Sequence, residues 1–359
     1  MIPNLDFKQT FQKFDGLRVL IVGDLMVDNY IIGKVERVSP EAPVPVVDVT
    51  HLDSRLGGAG NVALNIKAMG GIPIICSVIG KDKEGEELKS LLEKEGIYAK
   101  ALLESEKRKT TTKTRLIGNN HQLLRFDHEE KSDIDTVDSF LLEEHYFREL
   151  ENCNVVIFED YNKGVLHKGN IEKFIAKANE LGVPTVVDPS SLALAINFSI
   201  FIAKANELGV PTVVDPKKSN FKEYKNTKLF KPNLKEMREG LNIEESNIDS
   251  LDDIEKAIAI LENEMHNEHT LVTLSERGVI ISDKGSFYRK PAHLRNIADV
   301  SGAGDTVIAV ASLCVALNLH PTYIAELSNL AGGLVCEKRG VVPIDKEVLL
   351  SEALKLQGN

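Results

Sequence analysis

Leu17-Arg18-Val19-Leu20-Ile21-Val22-Gly23-Asp24 is apolar and mostly β-branched at successive positions, then closes on a glycine and an acid. A strand apolar on consecutive residues is covered on both faces, as strands of a parallel sheet are. Ile72–Ile79, Asn154–Glu159, Pro211–Asp215 and Thr270–Ser275 repeat the pattern downstream. Between and after these runs, helical periodicity covers Asn61–Met69, Lys83–Glu95, Asp133–Leu150, Leu251–Met265, Asp305–Leu317 and Thr322–Lys338. This alternation predicts an α/β fold, a mostly parallel sheet flanked by helices on both faces. Ligands of such sheets bind at the carboxyl ends of the strands, so the polar residues closing them are the first candidates for a site.

Two stretches break the alternation. Residues 29–52 and 110–126 hold β-rich runs, Tyr30-Ile31-Ile32, Val44–Val49 and Thr111–Ile117, with no helix between their strands. They predict a small antiparallel β lid, with plain surface hairpins as the alternative. A third feature is a repeat. Phe174–Pro189, FIAKANELGVPTVVDP, recurs unchanged at Phe201–Pro216, an offset of 27 residues from 174 to 201. Two occurrences do not make a solenoid. Each copy encodes helix, turn and strand. A sheet of this kind offers that strand one slot, so one copy and the linker 190–200 are expected to be surplus within a single domain spanning 1–359.

The 359 residues carry 43% hydrophobic and 27% charged side chains and a formal net charge of −11. That excludes broad nucleic-acid or anionic-membrane binding, which selects basic surfaces. Cys76, Cys153, Cys314 and Cys336 are scattered in apolar runs and predict reduced thiols of a cytoplasmic protein. Met1–Phe14 lacks the apolar core of a signal peptide, and no run approaches 18 apolar residues, so no membrane span is expected. His266-Asn267-Glu268-His269 has metal-like spacing but reads as solvated histidines at a polar helix end.

The strongest chemical signal is Asp299-Val300-Ser301-Gly302-Ala303-Gly304-Asp305-Thr306, followed by an apolar helix. Glycines let a backbone turn tightly against a ligand, and the helix aims its free N–H groups and dipole at that turn. Asp305 stands where a carboxylate can accept the proton of a substrate hydroxyl. Alone, the same acid is an ordinary helix cap. Gly57-Gly58-Ala59-Gly60-Asn61 precedes a second helix. It mimics a dinucleotide fingerprint, but the first strand ends elsewhere, at Gly23-Asp24, so a glycine loop bringing Asn61 to a sugar hydroxyl fits better. Asp24 and Asp28 are short acceptors suited to polyols. Lys231-Pro232-Asn233-Leu234-Lys235-Glu236 follows a strand-like run. Its Asn and Glu either share a metal-bound water shell beside phosphates or form a capping box. No Gly-x-x-x-x-Gly-Lys-Ser/Thr occurs, so this is not a P-loop protein.

These elements, with Ser275-Glu276-Arg277-Gly278 after a strand, resemble the ribokinase-like (PfkB) carbohydrate kinases in order and over nearly the whole chain. More narrowly, Val22–Asp28 through Ser39–Val47 look like the D-glycero-D-manno-heptose-7-phosphate kinase branch. So do Thr112-Lys113-Thr114-Arg115, Leu124–Asp127, Asp160-Tyr161-Asn162-Lys163-Gly164 and Asp215-Pro216-Lys217. In some members of that branch the kinase is fused to an adenylyltransferase domain. The resemblance implies a ribokinase-like fold and ATP-dependent phosphorylation of the heptose phosphate at C1, toward a lipopolysaccharide core precursor. It assigns Asp305 as base and Gly302, Ala303 and Gly304 as anion hole. It places ATP and Mg²⁺ at Asn233, Leu234, Lys235 and Glu236, the last reaching metal through water, with Ser275 and Gly278 near the nucleotide. Asp24, Asp28, Gly57, Gly58 and Asn61 would hold the sugar, and Lys113, Arg125 and Lys163 the substrate's own phosphate. A homodimer through the lid and a monovalent-cation requirement are further family-level expectations. Other readings stay open: the same fold with fructose 6-phosphate, ribose or a nucleoside as acceptor, or an inactive sugar-binding protein in which the repeat displaces a strand of the nucleotide side.

Overall fold

The computed structural model describes residues 6–189, 212–216, 221–222, 224–244, 250–283, 285–291, 297–338 and 340–357. Along them the chain runs α1 (Phe7–Phe14), β1 (Arg18–Gly23), β2 (Leu25–Val38), β3 (Pro45–Gly58), α2 (Ala59–Ala68), β4 (Ile72–Gly80), α3 (Lys83–Lys94), β5 (Tyr98–Ser105), β6 (Thr111–Gly118), β7 (His121–His128) and α4 (Thr136–Leu150). It continues through β8 (Val155–Asp160), α5 (Lys168–Leu181), β9 (Thr185–Pro189), β10 (Thr212–Val214), β11 (Leu229–Phe230), α6 (Leu234–Leu241), α7 (Leu251–Met265) and β12 (His269–Thr273). It closes with β13 (Val279–Asp283), β14 (Ser286–Lys290), α8 (Ala303–Ala316), α9 (Pro321–Cys336) and α10 (Lys346–Gln357).

The central sheet has the order β14-β13-β12-β11-β10-β9-β8-β1-β4-β5. All its pairings are parallel except the two that β13 makes. The strands are apolar on both sides for the expected reason. Val19 and Ile21 of β1 enter a core with α1, α2, α8, α9 and α10, while Leu20 and Val22 enter a second core with α4, α5, α6 and α7. Val155 and Ile157 of β8 split from Val156 and Phe158 in the same way. The predicted helices are present within two or three residues at each end. Asp133–Leu150 starts late because Asp135 is the N-cap, accepting from the backbone N–H groups of Val137 and Asp138.

The expected lid is a second, four-stranded sheet ordered β3-β2-β6-β7. Its two hairpins are antiparallel, and β2 and β6 join them in parallel. It is continuous with the central fold. β1 passes into β2 across Asp24 alone, and β3 runs straight into α2 at Gly58. The glycine motif is therefore a strand end fused to a helix start rather than a loop. Gly58 has φ +59°, and a Cβ there would sit 2.5 Å from the Asp24 carbonyl oxygen. The two crossings between sheets touch at this point, and only glycine fits.

The repeat departs from expectation. β9 from the first copy and β10 from the second lie side by side, parallel and in register, Thr185 beside Thr212, Val186 beside Val213 and Val187 beside Val214. β9 pairs onward with β8 and β10 with β11. The sheet gives two slots where one was expected, because a strand identical to its neighbour meets the same parallel ladder and the same apolar layers. The helix expected for the second copy, from Phe201, and the linker 190–200 lie outside the described residues.

Candidate functional site

The polar residues that close the parallel strands gather along one edge: Asp24 after β1, Asp160 and Tyr161 at the end of β8, Asp215 after β10, Asn233 after β11 and Ser275 after β12. The amino end of α8 stands over this edge. Gly302 is its N-cap at φ +78°, a left-handed conformation. A Cβ on Gly302 would also come within 2.8 Å of the Asn61 side-chain nitrogen. Thr306 N donates to Gly302 O at 3.1 Å and opens the helix, so the first-turn amides before it point outward. Of these, the Ala303 amide turns back to Val300 O at 3.3 Å. Gly304 is exposed, and a Cβ there would meet no atom of the described residues outside its own helix within 4 Å.

Asp305 is the third residue of α8 and half-buried. Asn61 Nδ2 donates to its Oδ2 at 2.7 Å, and the Tyr161 hydroxyl donates to its Oδ1 at 3.2 Å. Asn61 is 1% exposed and is fixed in turn by α2: Asn65 Nδ2 donates to the Asn61 carbonyl at 2.9 Å. Asn65 Oδ1 accepts from the Thr306 hydroxyl at 3.1 Å and from Ile344 N at 3.0 Å. The glycine turn, the second glycine motif and the end of β8 thus converge on one carboxylate. The Tyr161 phenol is pushed well above its usual pKa by burial and by the negative charge of Asp305, so it remains a donor.

The remaining candidates divide. Asp24 is 1% exposed. Its Oδ2 accepts from the backbone N–H of Tyr161 at 2.8 Å and of Lys163 at 3.0 Å, and its Oδ1 from that of Val165 at 3.2 Å. It organises the loop that carries Tyr161. Burial and the neighbouring Asp160 carboxylate push its pKa up to about 6 against those three hydrogen bonds. Asp28 is paired with Arg115 on β6. Gly57 makes room for that pair, since a Cβ would lie 2.3 Å from Asp28 Oδ2.

Strand register puts Asp28, Tyr30, Lys113, Arg115, Arg125 and Asp127 on one face of the small sheet. That face looks back at the central fold: Val341 N donates to the Tyr30 hydroxyl at 3.4 Å, and Arg55 Nη1 donates to Val341 O at 3.1 Å. The three expected phosphate cations differ. Arg125 is held by Asp127 at 3.1 Å, and Lys163 by Glu129 at 2.6 Å. Lys113 has no carboxylate within ion-pair distance among the described residues; its ammonium lies 5.4 Å from the centre of the Tyr161 ring. Burial holds its pKa below the usual lysine range.

Asn233, Leu234, Lys235, Glu236, Ser275 and Gly278 form a separate group on β11 and β12, with β9 and β10 between them and β8. The bland alternative is realised for Asn233 and Glu236. Glu236 N donates to Asn233 Oδ1, and Asn233 N donates to Glu236 Oε2, both at 2.8 Å, as a capping box. Ser275 at φ +52° and Gly278 at φ +90° bound a single 3-10 turn after β12, closed by Gly278 N donating to Ser275 O at 3.1 Å, with Ser275 exposed. Lys231 behind them is buried and paired with Asp215 at 2.9 Å. Among the described residues no three His, Cys, Asp or Glu side chains converge closely enough to hold a metal ion. His269 corrects the solvated reading: it is 5% exposed, opens β12 and lies 3.7 Å from Asp283. Cys76 and Cys314 are buried thiols, and no helix among the described residues is long and apolar enough to cross a membrane.

Tyr161 and Arg115 lie within the sequence motifs but do not stand out there as site residues, and Glu129 and Arg108 lie outside those motifs. Arg108 donates to the Lys163 carbonyl. Their roles depend on partners 34 to 144 positions away, which no local pattern reports.

A family profile, pfkB family carbohydrate kinase, matches residues 17–208 and again 166–347, and the two matches overlap on the stretch that holds the first copy of the repeat. The bifunctional protein HldE of Caulobacter sp. (strain K31) is 36% identical over 345 residues, covering 95% of this chain and 64% of that protein. The HldE of Helicobacter pylori (strain ATCC 700392 / 26695) is 34% identical over 90% of this chain and 64% of its own length. The chain thus spans 64% of these relatives. Among solved structures, Escherichia coli phosphofructokinase-2 in complex with substrates and products aligns with a TM-score of 0.69 at 18% identity, over 96% of this chain and 100% of that one. Arabidopsis thaliana ribokinase complexed with ribose and ATP aligns with a TM-score of 0.62 at 14% identity, over 94% and 99%. These two carry the fold alone.

Proposed function

The chain belongs to the pfkB family of ATP-dependent carbohydrate kinases, and we propose that its acceptor is a sugar that already carries a phosphate, D-glycero-D-manno-heptose 7-phosphate phosphorylated at C1. The observation that supports this most is Lys113, a cation with no carboxylate partner among the described residues, on the inner face of the small sheet and set against the ring of Tyr161, whose hydroxyl reaches Asp305. An ammonium so placed can hold a second anionic group of the acceptor while its hydroxyl meets the carboxylate.

In this reading Asp305 accepts the proton of the acceptor hydroxyl as the γ-phosphoryl group arrives in line. The Gly304 edge of the α8 amino end faces the charge that develops. Asn61 holds the carboxylate oriented. Asn233–Glu236, Ser275 and Gly278 border the nucleotide. Mg²⁺ would screen the phosphates, held mainly by them and by water, with Glu236 as an outer contact; its donor set suits no direct cage. The test is ADP release across a panel of heptose 7-phosphate, fructose 6-phosphate, ribose and a nucleoside. Turnover of the heptose phosphate well above the others is expected. Turnover of unphosphorylated ribose at an equal rate would replace the assignment with the broader sugar-kinase reading.

A further inference from the structure

The acceptor reading leaves a question that every kinase faces. Water is present at far higher concentration than any sugar, and a general base that can take a proton from a sugar hydroxyl can take one from water. Tyr161 bears on this directly. Its hydroxyl donates to Asp305 Oδ1 at 3.2 Å while Asn61 holds Oδ2 at 2.7 Å. Its backbone N–H is pinned by buried Asp24 at 2.8 Å, so the loop cannot swing freely. Its ring is half-buried and has neighbours on both sides of the site: a Cβ on Gly58 would lie 3.4 Å from Tyr161 Cε2, and the Lys113 ammonium lies 5.4 Å from the ring centre on the small sheet. The phenol thus stands where the acceptor hydroxyl must come, and it is anchored to the elements a sugar would touch.

We propose that Tyr161 is a positioning residue that caps the base: its hydroxyl occupies Asp305 Oδ1 until the acceptor hydroxyl displaces it, so that water is not activated against ATP in the absence of sugar. The suppressed reaction is ordinary hydrolysis. Water would lose a proton to Asp305, its oxygen would bond to the γ-phosphorus, the bond to the β–γ bridging oxygen would break, and ADP and phosphate would leave. A carboxylate oxygen already accepting a hydrogen bond from the phenol is a poorer base for that water. The cap rests on Asp305 being the base, as read above, and the experiment separates the two.

ADP release is measured for the full chain with ATP and Mg²⁺ in three conditions: alone, with heptose 7-phosphate, and with the 1,5-anhydro heptitol 7-phosphate that lacks the acceptor hydroxyl. For the unmodified protein, release is expected with the heptose phosphate only. The anhydro compound fills the site but supplies no hydroxyl to displace the phenol, so release stimulated by it would overturn the cap without any variant. Tyr161→Phe, checked for an unchanged melting transition, is expected to raise sugar-independent release roughly tenfold, within the hundredfold or more that a general base supplies. Sugar-dependent kcat should fall far less, because Asp305 and Asn61 remain. An unchanged ratio of the two rates in a folded Tyr161→Phe protein would overturn the cap while leaving the kinase reading intact. No sugar-dependent release from the unmodified protein would remove both.

Discussion

The two ends of the strand edge are built by different means. Around Asp305, polar side chains hold one another across the fold: Asn61 reaches Asp305 from α2, Asp24 collects amides from the loop after β8, and Asp28 on β2 meets Arg115 on β6. Around Asn233, the capping box joins residues three apart, and of the ion pairs there Lys231 alone among the described residues reaches the neighbouring strand end, at Asp215. The first end depends on distant segments staying in place. The second carries its local geometry wherever its strand goes. The added strand lies between the two, so it tests the coupling and leaves each end whole. One strand more displaces the far end by about 4.8 Å.

The sharpest way to break the comparison is at the base. Asp305→Asn should keep sugar binding, measured by calorimetry, and lower turnover about a thousandfold, within the range for loss of a general base. Near-normal turnover would remove Asp305 from the chemistry. Next in size is excision of residues 190–216, which leaves one copy of the repeat and joins Pro189 to Lys217. Misplacement by 1 Å can cost a hundredfold in rate. The excised chain should therefore gain about a hundredfold in kcat/KM for ATP, with sugar affinity unchanged. Equal activity would show that the Asn233 end tolerates an extra strand.

A smaller effect is expected at Lys113. Lys113→Ala should raise KM for the sugar phosphate roughly tenfold, one charge-assisted contact, and leave an unphosphorylated sugar unaffected. Equal losses on both would move the phosphate elsewhere. The smallest is a pH effect. Asp24 takes up a proton as pH falls through about 6, higher than an ordinary aspartate. Because the folded state binds that proton more tightly than the unfolded chain, this group adds stability between pH 6 and 4. The same proton removes an acceptor from the Tyr161 loop, so turnover should fall a few-fold over that range. Asp24→Asn should abolish both changes; an acid limb that survives in the variant belongs to another group.

Much of this was legible in the sequence. The apolar runs gave the central strands, and two glycine motifs marked the turns that surround Asp305, because tight backbone geometry restricts residue type. The capping box was written in the spacing of Asn233 and Glu236. What was not legible is what depends on partners. Asp24 looked like a sugar ligand because a short acid at a strand end is the same in sequence whether it faces solvent or buried amides. Lys113, Arg125 and Lys163 looked equivalent until Asp127 and Glu129 claimed two of them. The single slot expected for the repeated strand was an inference about space, and the sheet had space at its ladder for an identical neighbour.

That neighbour has a kinetic side. β9 and β10 present the same residues to the same ladder, so side-chain identity cannot tell a folding chain which of them belongs beside β8 and which beside β11. Only chain connection and the handedness of the crossover break the tie. A chain that seats them in the wrong order has satisfied almost every local preference and must still come apart. Refolding should therefore show a slow phase that the excised chain, with one such strand, does not have.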